Sequence, residues 1–492
     1  MYTLLFPVKW DKLYLIIYMQ SFDHHANASK GCIGLKIIIV GSGNVGFTLA
    51  EQLSKESHDI TIVDTDFDTL KNSSDTLDVM CVKGNGASIS VLEEAGAGTA
   101  DVVIAATNMD ETNMVCCLTA KRLGAKFVIA RIRNAEYFIG QDSLKEELGI
   151  DMIINPEYAT ALEISRLLRF STAANIDAFC GGQVELVSFR LQDDDFLVGK
   201  TLGSLSFKLH DLPILFCAIE RNQDVFIPNG NSELLSGDLV YVIGEPYGVS
   251  AFFKSLGRYA HKIRSVFIAG GGRISYYLAT MLDKVGQRAK IVEMDENRCR
   301  YLAEVLPHAV IIHGDGTDQE LLEAEDMHNN DAFVALTGHD EFNLIISLYA
   351  MQQRVPKVIA KTNRQNYISI ARSVGLDSVL SPKQITANQI LQVVRGLKNS
   401  KGSIMQSLYR IAGNRAEAME FVVNDTTRNL GIPLKDLKLK KGVLIAVIIH
   451  HNQIIIPEGS SVISAGDTVI VVSKDNGILD INDIYATGGG EA

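Results

Sequence analysis

The chain has 492 residues, of which 47% are hydrophobic and 21% are charged, as in an ordinary globular protein of three or four domains. Its formal net charge of −12 argues against binding to nucleic acid or to anionic lipid through bulk electrostatics. No apolar stretch approaches the roughly 20 residues needed to span a bilayer, and the seven cysteines show no spacing typical of metal ligands. We therefore predict a protein of a reducing cytoplasm, with no metal site and no nucleic-acid partner.

Residues 1–34 are predicted to form an N-terminal extension that is disordered. A short apolar run after Lys9 and Lys12 also resembles a secretory signal, but residues 20–30 contain no clean cleavage site of small residues. A strand-like segment and a glycine turn follow directly, which is typical of the start of a domain.

The next part of the chain alternates between strand and helix patterns. The predicted strands are short, β-branched and hydrophobic without alternation, as in a parallel sheet that is covered on both faces. They are residues 37–40, 59–63, 79–82, 101–105, 127–131 and 152–154. A helix over residues 157–170 and then short alternating segments with turns, from residue 176 to 257, indicate a second, smaller domain rich in β-structure.

The whole pattern then occurs a second time. The turn Gly41-Ser42-Gly43-Asn44-Val45-Gly46 has its counterpart in Gly270-Gly271-Gly272-Arg273-Ile274-Ser275. A shift of 229 residues relates Gly41 to Gly270, and the same shift relates Asp64 to Glu293. A shift this long and this constant indicates two whole copies in tandem.

The predicted fold class is therefore α/β, with two tandem copies of a doubly wound, Rossmann-like parallel-sheet domain, each followed by a small β-rich α+β domain. In the first copy we predict a Rossmann lobe over residues 35–155, a crossover helix over 156–175 and a small lobe over 176–258. In the second copy the corresponding ranges are 264–381, 382–400 and 415–485.

The glycine turn of the first copy predicts a nucleotide site. Gly41 permits a tight turn, Gly43 leaves room for a pyrophosphate, and Gly46 lets helix and strand pack closely. Ser42, Asn44 and Val45 complete a loop whose backbone N–H groups, at the start of a helix, favour phosphate. Asp64 stands where a carboxylate accepts hydrogen bonds from an adenosine ribose, which favours NAD(H) over NADP(H).

Three polar residues at later strand ends are predicted to face the same crevice. Thr107 and Asn108 follow the fourth strand and would contact ribose or phosphate. Arg131 ends the fifth strand and would neutralise phosphate. The alternative is that Arg131 is a solvated surface charge with no ligand. Asp110 and Glu111, like their counterparts in the second copy, are interpreted as acids in a first helical turn rather than as metal ligands.

The second copy predicts a related site with different chemistry. Glu293 keeps the acid at the ribose position and Lys361 replaces Arg131, while Arg273 enters the turn beside the expected phosphates. Gly270, Gly271, Gly272 and Ile274 complete this loop. Ser275 replaces the third glycine, so we expect looser packing of the helix and a ligand that differs from that of the first copy.

The ordered set of motifs resembles the TrkA family, the regulatory subunits of Trk potassium-uptake systems. The resemblance rests on the first glycine turn with Asp64, on the segments 107–113 and 155–157, and on an Ile-Pro to Gly-Asp signature at 227–238 and again at 456–467. It covers residues 36–485, and the N-terminal extension and Ser275 depart from it.

The resemblance implies tandem RCK domains (regulators of potassium conductance) in a protein without catalytic residues. It implies binding of NAD(H), with ATP and ADP as further ligands, and a peripheral position on the inner face of the cell membrane. It also implies a homotetramer, or dimer of dimers, that gates a potassium-translocating subunit of the TrkH or TrkG type. The alternative is an NAD-dependent oxidoreductase with an unrecognised substrate.

Overall fold

A computed structural model describes residues 34–139, 141–169, 173–209, 212–222, 224–257, 263–398, 404–412, 415–474 and 477–486. The predicted N-terminal extension, apart from Gly34, lies outside the described residues.

The first copy opens with a parallel sheet. Its strands are β1 (Lys36–Val40), β2 (Asp59–Asp64), β3 (Met80–Lys83), β4 (Val102–Ala105), β5 (Phe127–Arg131) and β6 (Met152–Ile154). They lie in the order β3-β2-β1-β4-β5-β6, and every neighbouring pair is parallel. The central strand β4 is buried along its whole length because helices cover both faces of the sheet. The predicted doubly wound sheet is confirmed.

Helices connect these strands and lead out of the sheet. They are α1 (Asn44–Ser54), α2 (Phe67–Thr76), α3 (Ile89–Glu94), α4 (Asp110–Leu123), α5 (Ala135–Ile139), α6 (Gln141–Leu148) and α7 (Pro156–Leu167). The first of them begins directly after its N-cap Gly43, which has no side chain to cap it.

A small antiparallel sheet follows in the first copy. Its elements are β7 (Asn175–Phe179), β8 (Val184–Arg190), β9 (Lys200–Thr201), α8 (Leu202–Leu209), β10 (Ile214–Arg221), β11 (Asp224–Phe226), β12 (Glu233–Leu234), β13 (Leu239–Gly244) and α9 (Pro246–Ser255). The five main strands take the order β11-β10-β13-β8-β7, and β9 pairs separately with β12.

The second copy repeats the parallel sheet. Its strands are β14 (Ser265–Ala269), β15 (Arg288–Glu293), β16 (Val310–His313), β17 (Ala332–Ala335), β18 (Lys357–Lys361) and β19 (Val379–Leu380). Its helices are α10 (Arg273–Lys284), α11 (Glu296–Val305), α12 (Gln319–Ala324), α13 (Asp340–Gln352), α14 (Gln365–Ser373) and α15 (Pro382–Lys398). The strand order β16-β15-β14-β17-β18-β19 matches that of the first copy.

The second small sheet also matches the first. Its strands are β20 (Ile404–Ile411), β21 (Ala416–Val422), β22 (Val443–His450), β23 (Gln453–Ile455) and β24 (Thr468–Ser473), in the order β20-β21-β24-β22-β23. Short 3-10 turns lie at Ala97–Thr99, Cys180–Gly182, Met327–Asn329, Leu434–Asp436 and Ile481–Ile484.

The described residues form two compact units that do not follow the order of the copies. One unit holds the chain up to Ser165 together with Arg264–Val394, and so contains both parallel sheets. The other holds Arg166–Ile263 together with the chain from Arg395 onward, and so contains both small sheets. Each unit therefore pairs equivalent parts of the two copies.

The two small sheets share one hydrophobic core. Phe179 from the first copy stacks edge-on against Tyr409 from the second at 4.8 Å between ring centroids. The Tyr409 hydroxyl donates to the Ala178 carbonyl at 2.8 Å, and the Ala412 N–H donates to the Tyr241 hydroxyl at 3.0 Å. The small lobes thus form a single packed body.

We expect Tyr241→Phe to destabilise this body by about 1–3 kcal/mol, because the buried Ala412 N–H would lose its acceptor. Unfolding by denaturant measures the change. Tyr247→Phe is the matched control, since Tyr247 is 78% exposed and should change little. Equal effects of the two substitutions would contradict the role of Tyr241.

A buried lysine distinguishes the second parallel sheet from the first. Lys357 begins β18, where the first copy has Phe127, and only 3% of it is exposed. Its ammonium donates to the Ser378 hydroxyl at 3.0 Å. Burial lowers the pKa of Lys357 to about 7, against the opposing attraction of Asp377.

The unfolded chain holds the Lys357 proton up to about pH 10.4, whereas the folded chain releases it near pH 7. Between these values the unfolded state binds more protons, so the contribution of Lys357 to stability rises with pH. We expect wild type to gain on the order of 2–3 kcal/mol over Lys357→Met between pH 7 and pH 9.5. Parallel denaturant titrations of both proteins measure this, and a pH-independent difference would contradict it.

Candidate nucleotide-binding sites

The first glycine turn has the geometry that its spacing predicts. Gly41 has a φ of 100°, and a Cβ there would lie 2.9 Å from the Thr107 nitrogen. A Cβ on Gly46 would lie 1.8 Å from the Gly41 carbonyl oxygen, whereas a Cβ on Gly43 would meet nothing within 4 Å. The turn is therefore closed towards the protein at Gly41 and Gly46 and open to a ligand at Gly43.

The acid of the first copy is hydrogen-bonded to this turn. The Asp64 carboxylate accepts the Ser42 N–H at 2.6 Å through one oxygen and the Asp66 N–H at 2.9 Å through the other. The Ser42 and Ser73 hydroxyls share a buried hydrogen bond of 2.8 Å. The carboxylate thus stands beside the open N–H groups of the first turn of α1, where Asn44 and Val45 lie.

An asparagine that sequence reasoning did not select organises the end of β4. The fully buried Asn113 accepts hydrogen bonds from the Thr107 N–H at 2.9 Å and hydroxyl at 2.7 Å, and donates to the Arg131 carbonyl at 2.8 Å. It joins the ends of two neighbouring strands. The signal was present in the sequence, since Asn343 repeats each of these contacts with Thr337 and Lys361 in the second copy.

Asp110 and Glu111 lie in the first turn of α4, as predicted. Asp110 is the first helical residue, and the N-cap is Met109. The Asp110 carboxylate, which is 8% exposed, accepts the N–H groups of Arg133 and Asn134 at 2.9 and 2.8 Å. It therefore fixes the loop after β5 rather than its own helix.

Arg131 and Asn108 lie at the same edge of the sheet. The half-buried Arg131 contacts the Thr107 carbonyl at 3.5 Å, and the Asn108 carbonyl accepts from Arg133 at 2.6 Å. Burial is the main cause that lowers the pKa of Arg131; Glu157 and Asp110 oppose this shift, whereas Arg133 and Arg273 act in the same direction as burial. A bound anion would favour the charged form of Arg131.

The second crevice has the same plan with altered contacts. Gly270 has a φ of 101°, and the Glu293 carboxylate accepts the Gly271 N–H at 2.6 Å. The Ser275 hydroxyl donates to the Gly270 carbonyl at 2.5 Å. Ser275 therefore carries a Cβ at the position where the first turn has no room for one.

The basic residues of the second crevice face different partners. The Lys361 ammonium donates to the Thr337 carbonyl at 2.7 Å, and burial is the largest cause that lowers the pKa of Lys361. Arg298, which the sequence did not single out, donates to the carbonyls of Gly271 and Gly272 at 2.7 and 3.3 Å. It holds the second glycine turn from α11, and Ile274 follows in the buried first turn of α10.

Arg273 does more than flank its own turn. It lines a cavity of about 360 Å³ together with Arg298 and Tyr277 of the second copy and with Asp110 and Arg133 of the first. Thus the predicted residues gather at two sheet edges, and Arg273 also faces the edge of the first copy.

Within the described part of the chain, no three or more His, Cys, Asp or Glu side chains come together as potential metal ligands. None of the helices described there has the length and apolar composition required to cross a membrane.

The fold and the two crevices define a tandem protein of the Rossmann class, in which each nucleotide-type lobe is followed by a small antiparallel lobe. The TrkA-N domain family matches residues 37–156 and 266–382, and the TrkA-C domain family matches 186–257 and 418–485. The chain belongs to the TrkA family of Trk system potassium uptake proteins.

A relative of known sequence supports this membership, and solved structures share the fold. The chain is 33% identical over 459 residues to Trk system potassium uptake protein TrkA homolog 2 of Methanosarcina mazei, covering 92% of this chain and 100% of the relative. The GsuK RCK domain shares the fold at a TM-score of 0.60 and 17% identity, over 93% of this chain and 96% of that chain. The GsuK channel bound to NAD shares the fold at a TM-score of 0.59 and 17% identity, over 95% of this chain and 82% of that chain.

The glycine geometry predicts opposite outcomes for two similar substitutions. Gly46→Ala should destabilise the protein by about 2 kcal/mol or more, because its Cβ would collide with the Gly41 carbonyl. Gly43→Ala should stay within about 1 kcal/mol of wild type, because space is open there and φ is −69°. Denaturant unfolding compares them, and a larger loss in Gly43→Ala would contradict the geometry.

Proposed function

We propose that this chain is the nucleotide-binding regulatory subunit of a Trk-type potassium uptake system. The observation that carries the proposal is the bond between an acidic side chain and a glycine turn, present in both copies of a TrkA-family chain. Such a turn and acid hold the phosphates and ribose of a dinucleotide in Rossmann folds.

In the first copy the ligand is NAD(H), with ATP and ADP as further candidates. Its phosphates lie on the open N–H groups of the loop from Gly41 to Gly46, where the helix start favours negative charge. Asp64 accepts the ribose hydroxyls, and its charge repels the 2′-phosphate of NADP(H). Thr107, Asn108 and Arg131 line the far side, where Arg131 offsets phosphate charge.

In the second copy the proposed ligand site comprises Gly270, Gly271, Gly272, Arg273, Ile274, Glu293 and Lys361. The carbonyls of its turn accept from Arg298, and Arg273 adds a further cation beside the turn, so the charges around a phosphate differ from those of the first copy. A weaker or different ligand follows from this difference.

The protein acts by regulation rather than by catalysis. A nucleotide that binds two arrangements of the lobes with unequal affinity shifts their populations by that difference. The partner is a membrane potassium-translocating subunit of the TrkH or TrkG type, gated by a homotetramer, or dimer of dimers, at the inner face of the membrane. The functional lobes are residues 35–155, 176–258, 264–381 and 415–485, with crossover helices at 156–175 and 382–400.

Asp64→Asn should weaken NADH binding at the first site by about 10- to 100-fold, because a charge-assisted hydrogen bond to ribose is lost. Calorimetric titration of the full chain with NADH, NAD, ATP and ADP measures this. The same variant, reconstituted with the potassium-translocating subunit, should need correspondingly more nucleotide to change potassium flux.

Asp68→Asn is the matched control, since Asp68 is an exposed acid four residues away whose side chain makes no contact with the turn in the described structure. Unchanged affinity in Asp64→Asn would remove Asp64 from the site. A flux that ignores every nucleotide, or sustained turnover of NAD(H) with an added substrate, would contradict the regulatory function and favour an oxidoreductase.

A further inference from the structure

An aromatic side chain near the acid of the first crevice is largely exposed to solvent. Phe67 is 60% exposed at the start of α2, three residues after Asp64. The Lys83 ammonium lies 5.6 Å from the centre of its ring, a cation–π contact that holds the ring in place. Ile89, at the start of α3, is 59% exposed at the end of the neighbouring strand.

The topology relates this face to the proposed ligand. Phosphate lies at the end of β1 and ribose at the end of β2, so the base attached to that ribose continues towards the next strand in the sheet, β3. Lys83 ends β3 and is the register partner of Asp64. Phe67 and Lys83 thus lie together at the strand end towards which the base would extend.

The second copy lacks this face. Glu296 occupies the position of Phe67 and pairs with Arg300 at 2.6 Å, His313 occupies that of Lys83, and Gln319 that of Ile89. The exposed apolar side chain next to its acid is Met294, and the exposed rings nearby are the polar His313, which contacts the Met294 carbonyl at 3.0 Å, and Tyr301, whose ring lies 4.8 Å from the Arg298 guanidinium. The surrounding backbone is equivalent, since Asp66 and Asp295 cap the corresponding helices.

We infer that Phe67 is a stacking platform for the purine base and the residue that makes the first site prefer adenine nucleotides over the second. This inference rests on the proposed function. An aromatic ring offers a flat apolar surface to any base, and loss of one such stack commonly weakens binding by about 5- to 100-fold. Glu296 offers no such surface.

The test uses the full chain carrying Glu293→Gln, which weakens the second site so that the first dominates. In this background Phe67→Ala should weaken both NADH and ADP by about ten-fold in calorimetry, whereas Phe67→Tyr should stay within about two-fold of its parent. Met80→Ala is the matched control, because Met80 is 53% exposed at the opposite end of β3. A chain with Asp64→Asn, in which the second site dominates, should bind ADP more weakly than a chain with Glu293→Gln, in which the first site dominates.

The outcomes separate the two proposals. Unchanged NADH and ADP affinity in Phe67→Ala, or an equal loss in Met80→Ala, would overturn the stacking role while the proposed function stands. Absence of NADH and adenine-nucleotide binding in wild type would overturn the proposed function itself. Equal ADP affinity of the two single-site chains would overturn the difference between the copies.

Discussion

The hydrogen bond between an acid at the second strand and the backbone of the glycine turn is the constraint on which both crevices depend. Asp64 and Glu293 each accept a turn N–H at 2.6 Å, and each accepts a second N–H from the loop that follows. A carboxylate oxygen has two lone pairs, so it can accept a ribose hydroxyl without releasing the turn. The crevice is thereby organised before a ligand arrives, which lowers the cost of ordering it on binding.

The same constraint allows the copies to diverge around it. In the first copy Gly46 lies against the Gly41 carbonyl, and in the second the Ser275 hydroxyl donates to the Gly270 carbonyl. Arg131 and Lys361 each donate to the carbonyl of the threonine after the neighbouring strand, but one offers a planar guanidinium and the other an ammonium. Because the acid fixes the glycine turn in both copies, these changes alter the chemistry of the site while the hydrogen bond between acid and turn is kept.

Much of this could be predicted from the repeat. Buried parallel strands are continuous apolar runs, so their positions, and the sheet order that follows from a glycine turn after the first strand, were visible in the sequence. Asp110 and Asn113 also recur in both copies, but a place in the first turn of a helix was enough to explain the acid, so no further role was predicted for it. Thr107 lies only six residues before Asn113, whereas Arg133, whose N–H bonds to Asp110, lies on the loop after β5 and meets Asp110 only in the folded chain.

The pairing of copies was beyond the sequence because it depends on contacts between distant segments. Tyr241 and Ala412 are 171 residues apart, and no local pattern signals their hydrogen bond. Arg273 likewise reads as part of its own turn until the structure places it on a cavity shared with Arg133. Each unit contains equivalent parts of both copies, so residues that differ between the copies lie within the same unit.

The two copies also differ in the ion pairs that lie at or just after the ends of their crossover helices. α7 and α15 each begin in the unit of parallel sheets, and each leads to an arginine that pairs with a glutamate of a small sheet. Arg395 and Glu417 are buried, bidentate and joined by Arg410, whereas the Arg169 partner of Glu185 is half exposed. Both glutamates are buried, so the loss of either ion pair would strip a charge from a buried carboxylate, and the two pairs differ in the exposure of the arginine and in the second arginine at Glu417.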